Sequence, residues 1–273
     1  MDEIMLWEEL TEPQFKKAIE DTGGVCILPI GAIERHGPHL PLGTDMFIAR
    51  HLAKLAVEIE PAVVFPYFPF GLIPEASHYP GTVVTDGDYL MQLLDATCKE
   101  IARNGFKKIM ILNAHGGNPS LLRAFAMSQM RSSRDYAVYI YDSLSSSAND
   151  PEYTKKYDEL FKGYKLDGHA GNVETSMLMH IRSDLVDFEK SVNENAEPLN
   201  RLPFLDENNL YNSMFWYADF PYHYAGSPAN SSAEAGEWLF NYTAKKAAAA
   251  IKAIREDTEV AKLMAEFYGN MEH

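Results

Sequence analysis

The chain has 273 residues, 46% of them hydrophobic, and a formal net charge of −15. That length suits one large domain or two small ones, and the apolar share is ordinary for a globular core. The acidic balance argues against non-specific binding to nucleic acid or acidic membranes, no apolar run approaches the ~20 residues of a membrane span, and the acidic start Met1-Asp2-Glu3-Ile4 does not read as a signal peptide.

In chain order, Thr11 caps a short helix running through Glu20, with Pro13 in its first turn. Residues 24–30 read as the first core strand. A loop follows that holds Glu34, His36, His39 and Asp45 between Gly31, Gly37, Gly43, Pro38 and Pro41. Thr44 or Asp45 then caps a helix with Phe47, Ile48, Leu52, Leu55 and Ala56 on one side. Residues 62–65 read as a second strand and 66–71 as a stiff loop. Asp86 opens a long helix that ends near Asn104, with Gly105 as its stop. Residues 108–112 form an apolar strand, leading to His115-Gly116-Gly117-Asn118 and another helix; 136–141 is a further strand. The polar stretch 143–167 reads as a long insertion or lid, 171–181 as a helix, and 193–212 as irregular. Ser232 starts the last core helix, which runs through Ile254. Cys26, in a predicted strand, and Cys98, in a predicted helix, are expected to be buried free thiols, which fits a cytoplasmic protein.

Strand, loop and helix alternate, so the fold class is α/β: a mainly parallel sheet covered by helices on both faces. Ligands of such sheets bind beyond the carboxyl ends of the strands. The Glu34 loop and the His115 loop both leave strands at that end. Glu34 and His36, two apart, point to the same side of extended backbone. With Asp45 they offer carboxylate and imidazole groups that zinc, manganese or iron accept. No Gly-x-Gly-x-x-Gly fingerprint, phosphate loop or Gly-x-Ser-x-Gly elbow is present.

Three segments together resemble the creatininase (creatinine amidohydrolase) family: 30–45, then Asn113-Ala114-His115-Gly116-Gly117-Asn118, then His169-Ala170-Gly171-Asn172-Val173-Glu174-Thr175-Ser176. The likeness covers most of the chain. It implies one three-layer α/β/α domain spanning residues 1–273, a homo-oligomer, and two divalent cations per subunit. By position Asp45 would bridge them, Glu34 and His115 would complete one site, and His36 would lie on the other. Creatininase proper carries a metal-binding Glu two positions after the motif histidine; here that position is Gly117, so Glu174 is the natural substitute, as ligand or catalytic group. His169 matches a family histidine at the substrate and would give a proton to the leaving nitrogen. Gly116 and Gly117 would offer amides to substrate or oxyanion, or simply form a tight turn. His78, in a segment that also resembles the family's active-site region, is either a substrate contact or a structural loop histidine. His39 is expected to orient a ligand by a hydrogen bond.

The remaining histidines, His51, His180, His223 and His273, read as structural or surface residues. The aromatic stretch 215–217 and 222–224 could line the pocket or bury a subunit interface, with the interface favoured. The implied function is a metal-dependent amidohydrolase acting on a small molecule. Its target would be a C–N bond that is not an ordinary peptide bond, in a cyclic amide or formamide. A formylamino-pyrimidine deformylase and a peptide-processing enzyme are the family alternatives. Residues 163–168 hold no tryptophan, which argues against creatinine itself. A metal-stabilised binding or assembly protein without catalysis is the reading from another class; phosphoester hydrolysis has only Arg35 in its favour.

Overall fold

The structure, a computed structural model, describes residues 4–143, 150–164, 166–192 and 194–271. At its centre lies Val25–Ile30 (β1), buried at all six positions. Its unbroken apolar run suits a strand covered on both faces. It lies between Val63–Val64 (β2) and Lys108–Asn113 (β3); Ala137–Asp142 (β4) follows, in the order β2-β1-β3-β4. All three pairings are parallel. The β2 pairings stop at Ile27↔Val64, so Pro29 lies beyond them and its missing N–H removes no bond on that side.

Alternate strand residues serve opposite faces. Val25, Ile27, Met110 and Leu112 pack with Thr44–Ile59 (α2), Asn172–Arg182 (α6) and Ala233–Glu256 (α9). Cys26, Leu28, Ile30, Ile109 and Ile111 pack with Glu12–Asp21 (α1), Gly87–Arg103 (α3) and Pro119–Ser128 (α4). The architecture is the three-layer α/β/α expected from the alternation. Cys26 and Cys98 are buried free thiols, and burial pushes Cys98 up to about 12. Among the described residues no helix is long and apolar enough to cross a membrane.

Helix starts follow the local chemistry in three cases. Thr11 forms a capping box with Gln14, Asp86 accepts from the amides of Asp88 and Tyr89, and Ser232 accepts from Ala235. The loop-to-α2 junction differs from expectation. Gly43 occupies the cap position, with no side-chain cap. Thr44 Oγ1 donates to the Pro41 carbonyl at 2.7 Å. Asp45 sits in the first turn, buried against the sheet end, so its carboxylate is committed to other partners. Gly31 permits this approach, since a Cβ there would meet the backbone of Asp45 at 2.8 Å.

The polar stretch 143–167 holds a helix, Pro151–Leu160 (α5), whose Tyr153 ring packs 5.7 Å from Trp238 on α9; residues 144–149 and 165 of that stretch lie outside the described residues. The stretch 193–212, expected to be irregular, contains the short helix Pro203–Glu207 (α7), residue 193 being outside the description; Phe215–Asp219 (α8) follows it. Asp167–His169 (β5) pairs antiparallel with Ala225–Gly226 (β6), a contact that local sequence does not announce. A last helix, Glu259–Gly269 (α10), buries none of its residues and adds nothing to the core. Helices α6 and α9 cross closely at Gly236, where a Cβ would stand 2.0 Å from the Ser176 carbonyl oxygen.

Candidate metal centre

Strand pairing puts Ile30 opposite Asn113, so β1 and β3 end level and release their loops side by side. Glu34 and His36 come from the first loop, Asp45 from the start of α2, His115 from the second loop and Glu174 from the first turn of α6. Side chains from these distant segments converge. Glu34, Asp45 and His115 form one group, and His36, Asp45 and Glu174 another, with candidate donor atoms within 4.8 Å of one another in each. Asp45 is common to both. Its Oδ2 lies 2.9 Å from His115 Nδ1 and its Oδ1 2.9 Å from His36 Nε2. Glu34 Oε1 is 2.6 Å from His115 Nδ1, and Glu174 Oε1 is 3.9 Å from His36 Nε2.

Backbone carbonyls orient both imidazoles. His115 Nε2 donates to the Leu72 carbonyl at 3.0 Å, which turns Nδ1 toward Glu34 and Asp45. His36 Nδ1 donates to the Glu34 carbonyl at 3.2 Å, which turns Nε2 toward Asp45. This is the tautomer control by an outer partner that metal-binding histidines commonly show. The His115 turn is itself held by Asn113, whose Oδ1 accepts from the His115 amide at 3.2 Å and from Asn118 Nδ2 at 3.0 Å.

The cluster demands positive charge. Glu34, His36 and Asp45 are each no more than 1% exposed. Glu34 Oε1 and Asp45 Oδ2 are buried with no aligned hydrogen bond. Burial opposes ionisation of Glu34, yet His115 and His169 beside it hold it well below the usual carboxylate range. Burial likewise opposes charge on His36, but the Asp45 carboxylate raises it to about 10. His115 is also raised, Glu34 overcoming its burial. Burial pushes Glu174 up to about 7, against the pull of His36. Without a cation, protons on the two imidazoles offset the carboxylates; divalent cations would displace them, as metal binding to such sites does. The donor set and the two orphaned oxygens therefore fit cations of the zinc, manganese or iron kind.

His169 ends β5 beside this cluster. Its Nε2 donates to the Arg35 carbonyl at 2.8 Å and lies 3.9 Å from Glu34 Oε2. Burial, then His36, pushes it well below the usual imidazole range. The next residue, Ala170, takes a left-handed φ of 56°, and its amide donates to Glu174 Oε2 at 2.5 Å. Strain of this kind persists only where the surroundings impose it. Gly116 lines a cavity of about 510 Å³ that opens onto Glu34, Asp45, His169 and Glu174. Gly117 does not line it. A Cβ there would meet the Leu72 carbonyl at 2.3 Å and His115 Nε2 at 2.6 Å, so the bare glycine protects the His115–Leu72 bond. His78 is outside the cavity lining too; its Nε2 donates to the Pro221 carbonyl at 3.1 Å, among the rings of Tyr79 and Tyr217. His39 touches no candidate ligand directly. Its Nε2 meets Thr175 Oγ1 at 2.9 Å, the residue after Glu174.

Two residues here escaped the sequence reading. His223 is 2% exposed, and its Nε2 lies 2.6 Å from Glu34 Oε2. Trp216 Nε1 donates to His223 Nδ1 at 3.1 Å, so Nε2 carries the proton and donates to Glu34. The aromatic stretch thus divides: Trp216 and His223 turn to the centre, while Tyr217 and Tyr222 are exposed. The one sequence signal was a histidine set among aromatics, which interface and pocket share. His223 also holds a left-handed φ of 48°. Replacing it by Ala is expected to weaken divalent-metal affinity about 10- to 100-fold. A chelator competition reads that loss, with His223→Asn, suited to that φ, recovering part of it; unchanged affinity in the Ala variant would contradict the role. His51 and His180, expected to lack partners, flank Phe240 at 4.6 and 6.1 Å between ring centres. His273 lies outside the described residues.

Comparison with known proteins agrees with this fold. The sequence profile of the creatinine amidohydrolase family, Creatininase, matches residues 8–251. Creatinine amidohydrolase of Pseudomonas putida is 28% identical over 195 residues, 67% of this chain and 74% of its own length. The mycofactocin precursor peptide peptidase of Mycolicibacterium smegmatis is 33% identical over 184 residues, 65% of this chain and 66% of its own. A crystal structure of creatininase superposes with a TM-score of 0.79 at 23% identity, covering 94% of this chain and all of that one.

Proposed function

The chain belongs to the creatininase family, and from that premise we propose that it is a metal-dependent amidohydrolase cleaving a C–N bond other than an ordinary peptide bond, in a small cyclic amide or formamide. The observation that carries this reading is the shared Asp45: one carboxylate whose two oxygens face two histidines, His36 and His115, that belong to separate candidate groups. Glu34, Asp45 and His115 would hold one divalent cation; His36, Asp45 and Glu174 would hold the other. Such a pair, once bound, supplies a water of near-neutral pKa and polarises a carbonyl oxygen.

The chain's own residues then do the rest. Glu34 is fixed by His223 and His115, so its carboxylate cannot swing as charge develops. His169, neutral because it is buried, relays a proton from the attacking water to the departing nitrogen. Gly116, with open space where a Cβ would stand, leaves room for the substrate to reach the cluster. Helix α5 and the residues before His169 form one wall of the cavity. The same reading makes the protein one domain, cytoplasmic, and a homo-oligomer, for which exposed Tyr211, Met214 and Phe215 supply an apolar face.

The test is a panel of cyclic amides and formamides assayed with the chelated protein and after adding back zinc, manganese or iron. We expect turnover that chelation abolishes and metal restores, together with more than one equivalent of metal per chain by elemental analysis. Metal bound without turnover of any C–N bond would favour the binding-protein reading instead.

A further inference from the structure

Deepening the hydrolase reading on which it rests, we propose that the substrate carries an apolar group of several carbons beside its scissile C–N bond, and that a pocket between α2, α6 and α9 holds that group. Helix periodicity places the pocket. Positions three, four and seven apart share one face of a helix. Asp45, in the first turn of α2, is followed on its face by Ile48 and Leu52; Glu174, in the first turn of α6, is followed by Met177. Both helices thus run on from a candidate metal ligand as an apolar row. Ile48, Leu52 and Met177 line the same cavity of about 510 Å³ as Asp45 and Glu174, and Leu239 and Thr243, one turn apart on α9, join them. Met177 is 7% exposed and Ile48 3%, whereas Leu52 and Leu239 are no more than 1% exposed, which places the last two at the back.

The polar groups of the cavity have other work. The candidate cations would balance Glu34, Asp45 and Glu174 at the ligand end, and a water bound there takes only about 30 Å³ of the room. Among the described residues, α5 and β5 bring Tyr153, Thr154, Tyr157, Asp158 and Asp167 to the lining. Asp167 Oδ2 accepts from the Tyr157 hydroxyl at 3.0 Å and from the Val173 amide at 3.2 Å, which ties α5 to the start of α6. The Tyr153 ring packs 5.7 Å from Trp238 and 5.4 Å from Tyr242, which ties α5 to α9. Burial pushes the Tyr153 hydroxyl up to about 12, so that side chain stays neutral. A cavity of this volume suits a ligand well beyond the size of a bare formamide. Water held against Ile48, Leu52, Met177 and Leu239 finds no partner in them, and an apolar group that displaces it gains the free energy of its own burial.

The experiment uses metal-loaded full-length protein and two ligand series. Alkanohydroxamic acids, from aceto- to octano-, carry the tail on the carbonyl carbon; N-alkyl-N-hydroxyformamides of matching length carry it on the nitrogen. Both bind through a metal-chelating head, so calorimetry along each series reads the tail. In at least one series we expect Kd to fall about two- to fourfold per methylene over the first several, and at least about tenfold in all. A hexyl tail ending in a hydroxyl should lose most of that gain. Leu239→Phe, which takes up room at the back, should shorten the best tail. A tail ending in a diazirine needs no variant: after irradiation and digestion, mass spectrometry should find the adduct on peptides holding Ile48, Leu52, Met177 or Leu239, in chelated as in metal-loaded protein. A Kd flat across both series, or adducts confined to other segments, would overturn the inference. The Kd trend and these adducts without turnover of any N-alkylformamide or alkanamide would support it while sinking the hydrolase reading; turnover fastest for the shortest chain, with a flat Kd, would sink it while leaving that reading intact.

Discussion

Asp45→Asn is expected to abolish metal-dependent turnover, lowering kcat/KM by about three orders of magnitude or more, the several kcal/mol that metal-ion charge stabilisation contributes. The reason is positional. Both oxygens of this carboxylate face histidines, Oδ1 toward His36 and Oδ2 toward His115, so one substitution removes a donor from each candidate group. An asparagine keeps the size and one carbonyl oxygen but loses the charge and the second acceptor. Two further readouts separate metal loss from unfolding. Elemental analysis should show metal per chain falling by more than half. Thermal melts should show that added metal, which at a hundredfold excess over Kd stabilises a binding protein by about 2.7 kcal/mol, no longer raises the midpoint of the variant. A variant that kept its metal and its turnover would show that the hydrolytic centre lies elsewhere.

Replacing His169 by Gln is expected to cut kcat about 10²- to 10⁴-fold, the usual contribution of a positioned proton-transfer group, while metal content stays at the wild-type level. The residue stands against the cluster on two sides, with ring centres 4.3 Å from His36 and 4.4 Å from His223. It also belongs to a third group, with Glu34 and His36, that could itself hold an ion. The two roles part cleanly in the measurement. A proton relay lost leaves metal stoichiometry alone and slows the chemical step; a ligand lost takes metal with it. Loss of an equivalent of metal in the Gln variant would move His169 into the ligand set.

Much of this molecule was legible from local chemistry. The apolar run 24–30 reads as a buried strand, which the backbone forms over Val25–Ile30, and Asp86, Ser232 and Thr11 each marked a helix start that the backbone takes. The loops after β1 and β3 carried acidic and imidazole groups at strand ends, where an α/β sheet presents them to ligand. Other features depended on contacts between residues far apart in the chain. Thr44 or Asp45 reads from local rules as the cap of α2, but Gly43 takes that place, and Asp45, which the family resemblance also makes a bridging ligand, turns its oxygens to His36 and His115. His223, set among aromatics, reads from the sequence as structural or surface; its partner Glu34 is 189 positions away. His78 drew attention by its motif, yet its ring is spent on the Pro221 carbonyl outside the cavity.

By itself, then, the amino-acid sequence determined the alternation of strand and helix, the family and the kinds of side chain gathered at the sheet's carboxyl end. Those follow from short-range periodicity and from residue types at fixed spacing. Only the tertiary structure decided which nitrogen of each imidazole faces a carboxylate, that His223 braces Glu34, and that acids rather than bases stand among the described residues of the cavity lining. Each of these depends on where a backbone carbonyl or a distant helix happens to lie, as the Leu72 carbonyl does for His115. Geometry of that kind is set by packing across the whole fold, and no window of neighbouring residues contains it.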